Sequence, residues 1–536
     1  MAVDVEQQQS TRDPARPSYI FRGHNAHIHS VQILRRNTCL LTGDADGWVV
    51  CWKLETKRPL AVWKAHDAAI LGTAEWVPDN IITHGRDNAL RIWQLKAGDH
   101  SFSTVLPADG TDPHRPKPWL LHSLPVNTLN FCAFTMCYQR GKVDAYADLP
   151  PTGSSGPIYI AVPGRDDKKA EVYQFPDEKL VCVVPKIEAL DTGMVMALKL
   201  AHHQPSNNIV VIAGYEGGFT AVHLVPDSPR GIRTLTLELA QTIYLSQPHT
   251  QPVLSVDALP DGTGFFSSSA DAIIAAHRIL ELPCYDDAQV DLIKDRPVDA
   301  INESEGPSAS ASKEGPVEPD NTTTLNDADV ESATPTDDPR PTAPNSPGTT
   351  PSEDGKPSSP ISFPKTRSPN TTPTAQASSQ SARPSGLSTL LASAPSQLKP
   401  IKTVKPPAAL SIQAPHKSLN TKHAGQQSLR VRSDGRLLVT GGWDSRIRVY
   451  SAKTLKEVAV LKWHKEGVYA VGFGEVLSKE DLESDRGDGK TGGEGEVVRR
   501  ETGLAKLQRQ REEVVKAKHW VVAGAKDGRV SLWEVF

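Results

Sequence analysis

Short stretches in which apolar and polar residues alternate recur along both ends of this chain, each bounded by a polar turn. TGDADGWVVCWKL, residues 42–54, runs from a turn built on Asp46 and Gly47 into such a stretch, with Trp52 six residues beyond the acid. THGRDNALRIWQL repeats the design, with Asp87 and Trp93 again six apart. A period of two, bounded by Asp-Gly or Gly-Gly turns and rich in β-branched residues, predicts half-buried strands. The histidine of RGHNAHIHSV (His24) returns as His66, His122, His249, His423 and His464. An aliphatic residue follows most of these four positions later (Ile28, Ile70, Val126, Val253, Val468), a rule that Gln427 breaks. Each histidine leads to a turn acid: Asp46, Asp87, Asp167, Asp271, Asp444 and Asp527. Six residues past each acid stands a ring: Trp52, Trp93, Tyr173, His277, Tyr450 and Trp533. A degraded copy, MVMALKL…VVIAGYEGGFTAVHL, carries Glu216 at the turn and Val222 six later but no histidine.

Seven units of about forty residues are thus predicted, each too small to bury both faces of its own sheet. Radial packing solves that problem, so the pattern predicts an all-β fold, a seven-bladed β-propeller. Residues 1–17 are polar and read as a flexible terminus, and 18–285 hold blades one to five. Residues 416–536 hold blades six and seven, with a charged insertion at 475–518. The stretch SLWEVF is the third strand of the last unit, so Ser18 to Arg22 is expected to supply its fourth and remove an exposed edge. Between the two parts composition changes abruptly. Residues 301–400 hold 17 Pro, 18 Ser and 13 Thr against one aromatic, Phe363, too little apolar surface to offset chain ordering. Residues 286–415 therefore read as a disordered insertion between blades five and six.

Charge narrows the partners. Lys and Arg total 59 against 63 Asp and Glu, a net of -4. That balance lacks the basic excess expected for direct nucleic-acid or anionic-membrane binding. The N-terminus has no apolar core of a secretory signal, and no run approaches the ~18 apolar residues of a membrane span. The six cysteines are scattered and read as buried free thiols in a reducing compartment. Neither a metal site, nor a cofactor, nor a small-molecule substrate is expected.

GH, a turn Asp, and then WKL, WQL or WEV identify the units as resembling WD repeats. In that family the histidine, a Ser/Thr four residues before the turn acid, the acid and the ring form a hydrogen-bonded network that locks one blade. The resemblance implies such networks from His24, Thr42, Asp46 and Trp52, and from His66, Thr83, Asp87 and Trp93. It implies a third from His423, Thr440 and Asp444 with Tyr450 in the ring position. Blade five carries Ser267, Asp271 and His277, whereas Pro163 and Ala523 stand where units three and seven need the hydroxyl. Four stretches, YIFRGHNAHIHSV, LTGDADGWVVCWKL, WKAHDAAILGTAEW…IITHGRDNALRIWQL and GGWDSRIRVY…LKWHKEGVYAVGF, resemble the fungal ASTRA-associated proteins of the WD-repeat family. They are also similar to an animal relative, a G-protein β-subunit-like protein. The resemblance implies a non-enzymatic scaffold in the nucleus and cytosol, a subunit of an ASTRA assembly with protein partners. That assembly is linked to chromatin remodelling and to maturation of phosphatidylinositol-3-kinase-related kinases with the TTT co-chaperone.

No catalytic residue is assigned. A His, a hydroxyl and an Asp imitate a triad, but their repetition at one period argues for architecture, since a nucleophile needs one special environment. Candidate binding residues are those just before the turn acids, which should face one rim. Among them Arg86, Tyr215 and Trp443 are types that anchor interfaces, with Trp48 a further candidate. Ser/Thr-Pro pairs in the insertion, such as Ser346-Pro347 and Thr372-Pro373, are candidates for proline-directed phosphorylation. LAKLQRQREEVVKAK has the pattern of an amphipathic helix, with Leu504, Leu507 and Val514 near one face. A signalling G-protein β subunit would begin with a long helix, and a ubiquitin-ligase adaptor with a helical adaptor motif; neither pattern precedes the first repeat.

Overall fold

The computed structural model describes residues 15–535 apart from 78, 97–101, 110–114, 129–130, 140–155, 227–237, 280–281, 283–410, 479 and 483–502. Its strands form seven separate sheets, each with four antiparallel strands, the blades of a β-propeller. Blade one is Ile28–Leu34, Cys39–Asp44, Trp48–Lys53 and Arg58–Lys64, from the inner strand outward. Blade two is Ile70–Trp76, Asn80–Gly85, Ala89–Gln94 and Trp119–Pro125. Blade three runs Thr135–Tyr138, Ile158–Pro163, Ala170–Phe175 and Lys179–Val184. Blade four, the degraded copy, is regular: Val195–His203, Asn208–Tyr215, Thr220–Leu224 and Gln241–Ser246. Blades five and six begin at Val253 and Gln426, and blade seven at Val468.

The alternation in each strand has a physical consequence in how blades pack. Every apolar cluster spans two neighbouring blades. Trp63 and Cys51 of blade one meet Ile70 and Ile81 of blade two, for example, and Phe266 and Ile274 of blade five meet Leu429 and Leu438 of blade six. Seven clusters join seven neighbouring pairs, the last linking Val522 and Leu532 of blade seven to Ile28 and Leu40 of blade one. Burial is therefore shared around the ring. The fourth strand of blade seven comes from the other end of the sequence: Tyr19–Phe21 lies antiparallel to Val530–Leu532.

Polar bonds tie the inner strands together. Ser30 and Thr73 hydroxyls meet at 2.8 Å between blades one and two, and the Thr135 hydroxyl accepts from the Leu200 amide at 3.1 Å between blades three and four. Asp257, buried in blade five, bonds Lys199 of blade four at 2.7 Å and the Val431 amide of blade six at 2.8 Å. Burial alone would raise its pKa, but the Lys199 and Arg430 charges outweigh that and hold it below the usual carboxylate range.

The segment read as disordered, 286–415, lies outside the described residues as far as 410. Its last residues are ordered against the propeller, a correction: the Gln413 amide donates to the Leu245 carbonyl of blade four at 2.8 Å. Lys417–Asn420 then forms the outer strand of blade five, so the insertion interrupts that blade between its third and fourth strands. The expected phosphorylation sites lie outside the described residues. The charged insertion separates the first two strands of blade seven, Val468–Phe473 and Trp520–Ala525. It contains helix α1, Gly503–Lys516. Val515 packs on the propeller and its carbonyl accepts from the Trp520 indole at 2.9 Å, while Leu504, Leu507 and Val514 are exposed.

Candidate partner-binding rim

The polar network that fixes the rim is complete in blade two. His66 Nδ1 donates to Asp87 at 2.7 Å, the Thr83 hydroxyl bonds His66 Nε2 at 2.7 Å, and the Trp93 indole donates to Thr83 at 2.9 Å. Burial keeps the His66 pKa below its ordinary value, which suits a neutral imidazole in this relay. Thr83 is fully buried with its oxygen and proton both engaged, so no substrate reaches it.

Blade one builds the same network with a different acid. His24 Nδ1 donates to Asp44 at 2.7 Å, with Thr42 at 2.7 Å from Nε2 and Trp52 donating to Thr42 at 2.9 Å. Asp46, the acid that sequence spacing selects, is exposed and contributes only its amide, which donates to Asp44 Oδ1 at 3.0 Å. The reason lies in the position two residues earlier. In blade two it is Gly85, where a Cβ would sit 2.3 Å from the His66 ring. Blade one places Asp44 there, directly against its histidine, and Asp46 is displaced from the role.

Blade six departs further. The residue of the inner strand that pairs with the end of the second strand is Ile28, Ile70, Val253 and Val468 in blades one, two, five and seven, each four past its histidine. In blade six that residue is Gln426, so the histidine position is Lys422 and His423 is one residue late. Thr440 therefore donates to Gln426 Oε1 at 2.8 Å, and exposed His423 stands 3.6 Å from Asp444. Asp444 instead holds Arg448, and Tyr450 is buried in the core between blades five and six. Blade seven compensates for Ala523 across the ladder. Ser531, paired opposite Ala523, bonds His464 Nε2 at 2.8 Å and accepts from the Trp533 indole at 2.8 Å. In blade five Ser267 joins His249 at 2.8 Å to His277 at 3.1 Å. His122, assigned to unit three, belongs to the outer strand of blade two and bonds Glu178 at 2.7 Å.

These networks place the turns. In six blades the residue after the second strand donates its amide to the residue just before the inner strand: Ala45, Arg86, Glu216, Ala270, Trp443 and Lys526 are the donors. All six occupy one rim. Arg86 and Trp443 stand there as the sequence predicts, and Tyr215 does not. Tyr215 pairs with Val195, the register of Gly85, and is wholly buried with its hydroxyl 3.2 Å from His223 Nε2. Blade four has no histidine to fill that space, and the tyrosine ring takes it. Trp48 is also excluded, at 5% exposure in the core between blades seven and one, under the Arg115 guanidinium.

Arg86 is exposed and its guanidinium lies 4.3 Å from the ring centroid of exposed Phe131, a cation–π stack. Trp443 is 48% exposed. Its indole donates to Gln427 at 2.8 Å and lies against Gly425, where φ is +73° and any Cβ would strike the ring at 2.0 Å. The indole is thus fixed on one side and open on the other. Between these anchors the inner strands add residues that sequence reasoning missed. Each of six inner strands carries one bulged residue next to its first pair: His29, Leu71, Met196, Leu254, Gln427 and Tyr469. The Tyr469 ring lies 6.4 Å from His27 and 6.1 Å from His29, and Gly467 separates it from Trp443. Burial, followed by the neighbouring His27, pushes the His29 pKa down. Trp443, Tyr469, His27 and Arg86 hence form an aromatic and cationic sector across blades six, seven, one and two, with exposed Lys526 within it. Among the described residues no group of His, Cys, Asp or Glu is placed to hold a metal.

Comparison with known proteins agrees with this architecture. Residues 15–53 and 416–451 match the WD domain, G-beta repeat family. The chain is 33% identical to ASTRA-associated protein 1 of Aspergillus niger over 100% of both chains. It is 36% identical to the protein of that name from Pyricularia oryzae over 98% of both. The chain belongs to the ASTRA-associated protein 1 family. A third member, from Verticillium alfalfae, is 34% identical over 97% of this chain and 93% of its own. For this family member the WD-repeat propeller is a scaffold.

Proposed function

We propose that this chain is a non-enzymatic subunit of an ASTRA assembly that holds a protein partner on the rim sector from Trp443 to Arg86. Its setting is chromatin remodelling and the maturation of phosphatidylinositol-3-kinase-related kinases with the TTT co-chaperone, in the nucleus and cytosol. The supporting observation is the state of the two anchors. Arg86 and Trp443 occupy equivalent turn positions, and each is held by a local contact that leaves one face open. Pre-ordered Trp and Arg side chains lose little entropy on binding and are the residue types that dominate interface energies. The relatives' name supports the choice of assembly.

Affinity purification with quantitative mass spectrometry tests the proposal. Wild-type chain should recover kinase co-chaperone and remodelling subunits. Arg86→Ala with Trp443→Ala should lower that recovery by about thirtyfold, the effect of ~2 kcal/mol, with no change in thermal midpoint. Undiminished recovery by a folded double variant would exclude the rim as the binding surface.

A further inference from the structure

The outer strands of the blades differ in one respect that the rim does not involve. The outer strands of blades one to four and of blade six carry a bulge at an equivalent place, at Leu60, Leu121, Val181, Ile243 and Val458. Two residues past each bulge stands Val62, Ser123, Val183, Leu245 or Val460. In three of these blades that same position is bonded by another part of the chain. The Val62 amide donates to the Ser103 carbonyl at 2.8 Å, the Ala240 amide to the Val183 carbonyl at 3.0 Å, and the Gln413 amide to the Leu245 carbonyl at 2.8 Å. Blade three extends the contact into a fifth, parallel strand, Glu238–Leu239.

In blade two the equivalent residue, Ser123, is exposed, and no described residue bonds the outer edge of Trp119–Pro125. The approach to it is the most apolar edge among the blades. Trp119 is 73% and Leu120 42% exposed, followed by exposed Leu121. Three consecutive large apolar side chains on an edge strand are what a protein ordinarily avoids, because such an edge recruits another strand. Cations flank the slot. Lys64, Arg91 and Lys117 line a shallow cavity beside Leu120. Asp67 in that cavity is engaged with Lys64, and Asp87 beside it with His66 and Arg91. Lys117, and Lys96 two residues past the Gln94 that pairs with Trp119, have no ion pair with a carboxylate among the described residues.

We propose that the outer edge of blade two accepts an extended segment of a partner protein by strand addition at Ser123, and that this segment is apolar with acidic flanks. Its backbone occupies the slot that blades one, three and four fill from within the chain. Its apolar side chains cover Trp119 and Leu120, and its carboxylates meet Lys96 and Lys117. The site is independent of the rim reading and lies on a different part of the propeller.

The test uses the full chain and a blocked decapeptide of alternating valine and glutamate with aspartate at both ends, followed by fluorescence anisotropy and amide hydrogen exchange. The peptide should bind and protect the amides of residues 120–124. The same peptide with lysine for every acid should bind at least about tenfold more weakly. Ser123→Pro, which removes the outward amide, and Trp119→Lys, on the exposed surface, should each weaken binding about tenfold at unchanged thermal midpoint. Three results would overturn the proposal: binding without protection at 120–124, protection already present in the monomeric chain without peptide, or protection that tracks dimerisation in sedimentation. The last two would assign the slot to the chain itself or to a second copy.

Discussion

Lowering the pH from 7.5 to 5 should strongly destabilise this propeller, well before its carboxylates titrate. Three imidazoles are held neutral inside the blades. His84 accepts the Phe134 amide at 3.1 Å; His223 lies between Tyr215 at 3.2 Å and Thr242 at 3.0 Å; His277 lies between Tyr244 at 2.9 Å and Ser267 at 3.1 Å. Burial lowers the pKa of each from 6.5 to about 3. Because the folded values are depressed, the unfolded chain binds more protons below pH 6.5. The stability these groups contribute is therefore whole above about 6.5 and is lost as pH falls toward 3. Each adds a slope of about 1.4 kcal/mol per pH unit, so the three together approach about 4 kcal/mol per unit. Against a total stability of roughly 5–15 kcal/mol, unfolding should begin between about pH 6 and 4. Asp87, Asp271 and Asp527, whose pKa values are lowered by their histidine and arginine or amide partners against the opposing effect of burial, add a further loss only below about pH 4. Urea midpoints at pH 7.5, 6 and 5 measure the slope. A midpoint constant over that range would contradict the assignment of buried neutral imidazoles, and His223→Gln should reduce the slope by one group.

The second large effect separates two acids two residues apart. Asp44→Ala should cost about 3 kcal/mol, whereas Asp46→Ala should stay within about 0.5 kcal/mol. Asp44 is fully buried and accepts three bonds, from His24 at 2.7 Å and from the amides of Asp46 at 3.0 Å and Trp48 at 2.9 Å. Removing its carboxylate leaves those buried donors without partners, and each unmade bond costs about 1–3 kcal/mol. Asp46 is exposed and its carboxylate holds nothing that is buried. Thermal and urea unfolding of the two variants decide the matter. Equal losses, or the reverse order, would return the network to the acid that spacing alone selects.

That pair shows where sequence reading stops. Period and alternation made seven sheets legible, and in blade two the network was legible residue by residue. The spacing of a turn acid from its tryptophan measures distance along one strand, and it does not report what a side chain meets across the ladder. Asp44 lies two residues from the expected acid because it stands where Gly85 makes room for an imidazole in blade two. Ser531 replaces the hydroxyl missing at Ala523 from the opposite strand, a partner visible only once the register is known. His423 fails by a single residue, and Gln427 breaking the aliphatic rule was the sign of it. Tyr215 has the chemistry of an interface anchor but the register of a core position. Arg86 and Trp443 were legible because each directly follows the last small residue of its second strand, where the chain has to turn outward.

The central claim is that a ring closed by seven shared cores presents one rim sector to a protein partner. Cross-linking mass spectrometry of the purified assembly, with a lysine-reactive reagent, tests it most directly. Lys465 and Lys526 border Trp443 and Tyr469 at the rim, whereas Lys506 lies on helix α1. The account predicts recurrent links from Lys465 and Lys526 to one partner subunit, lost in the Arg86→Ala, Trp443→Ala chain. Links to partners that spare both rim lysines and fall on Lys506 instead would contradict it.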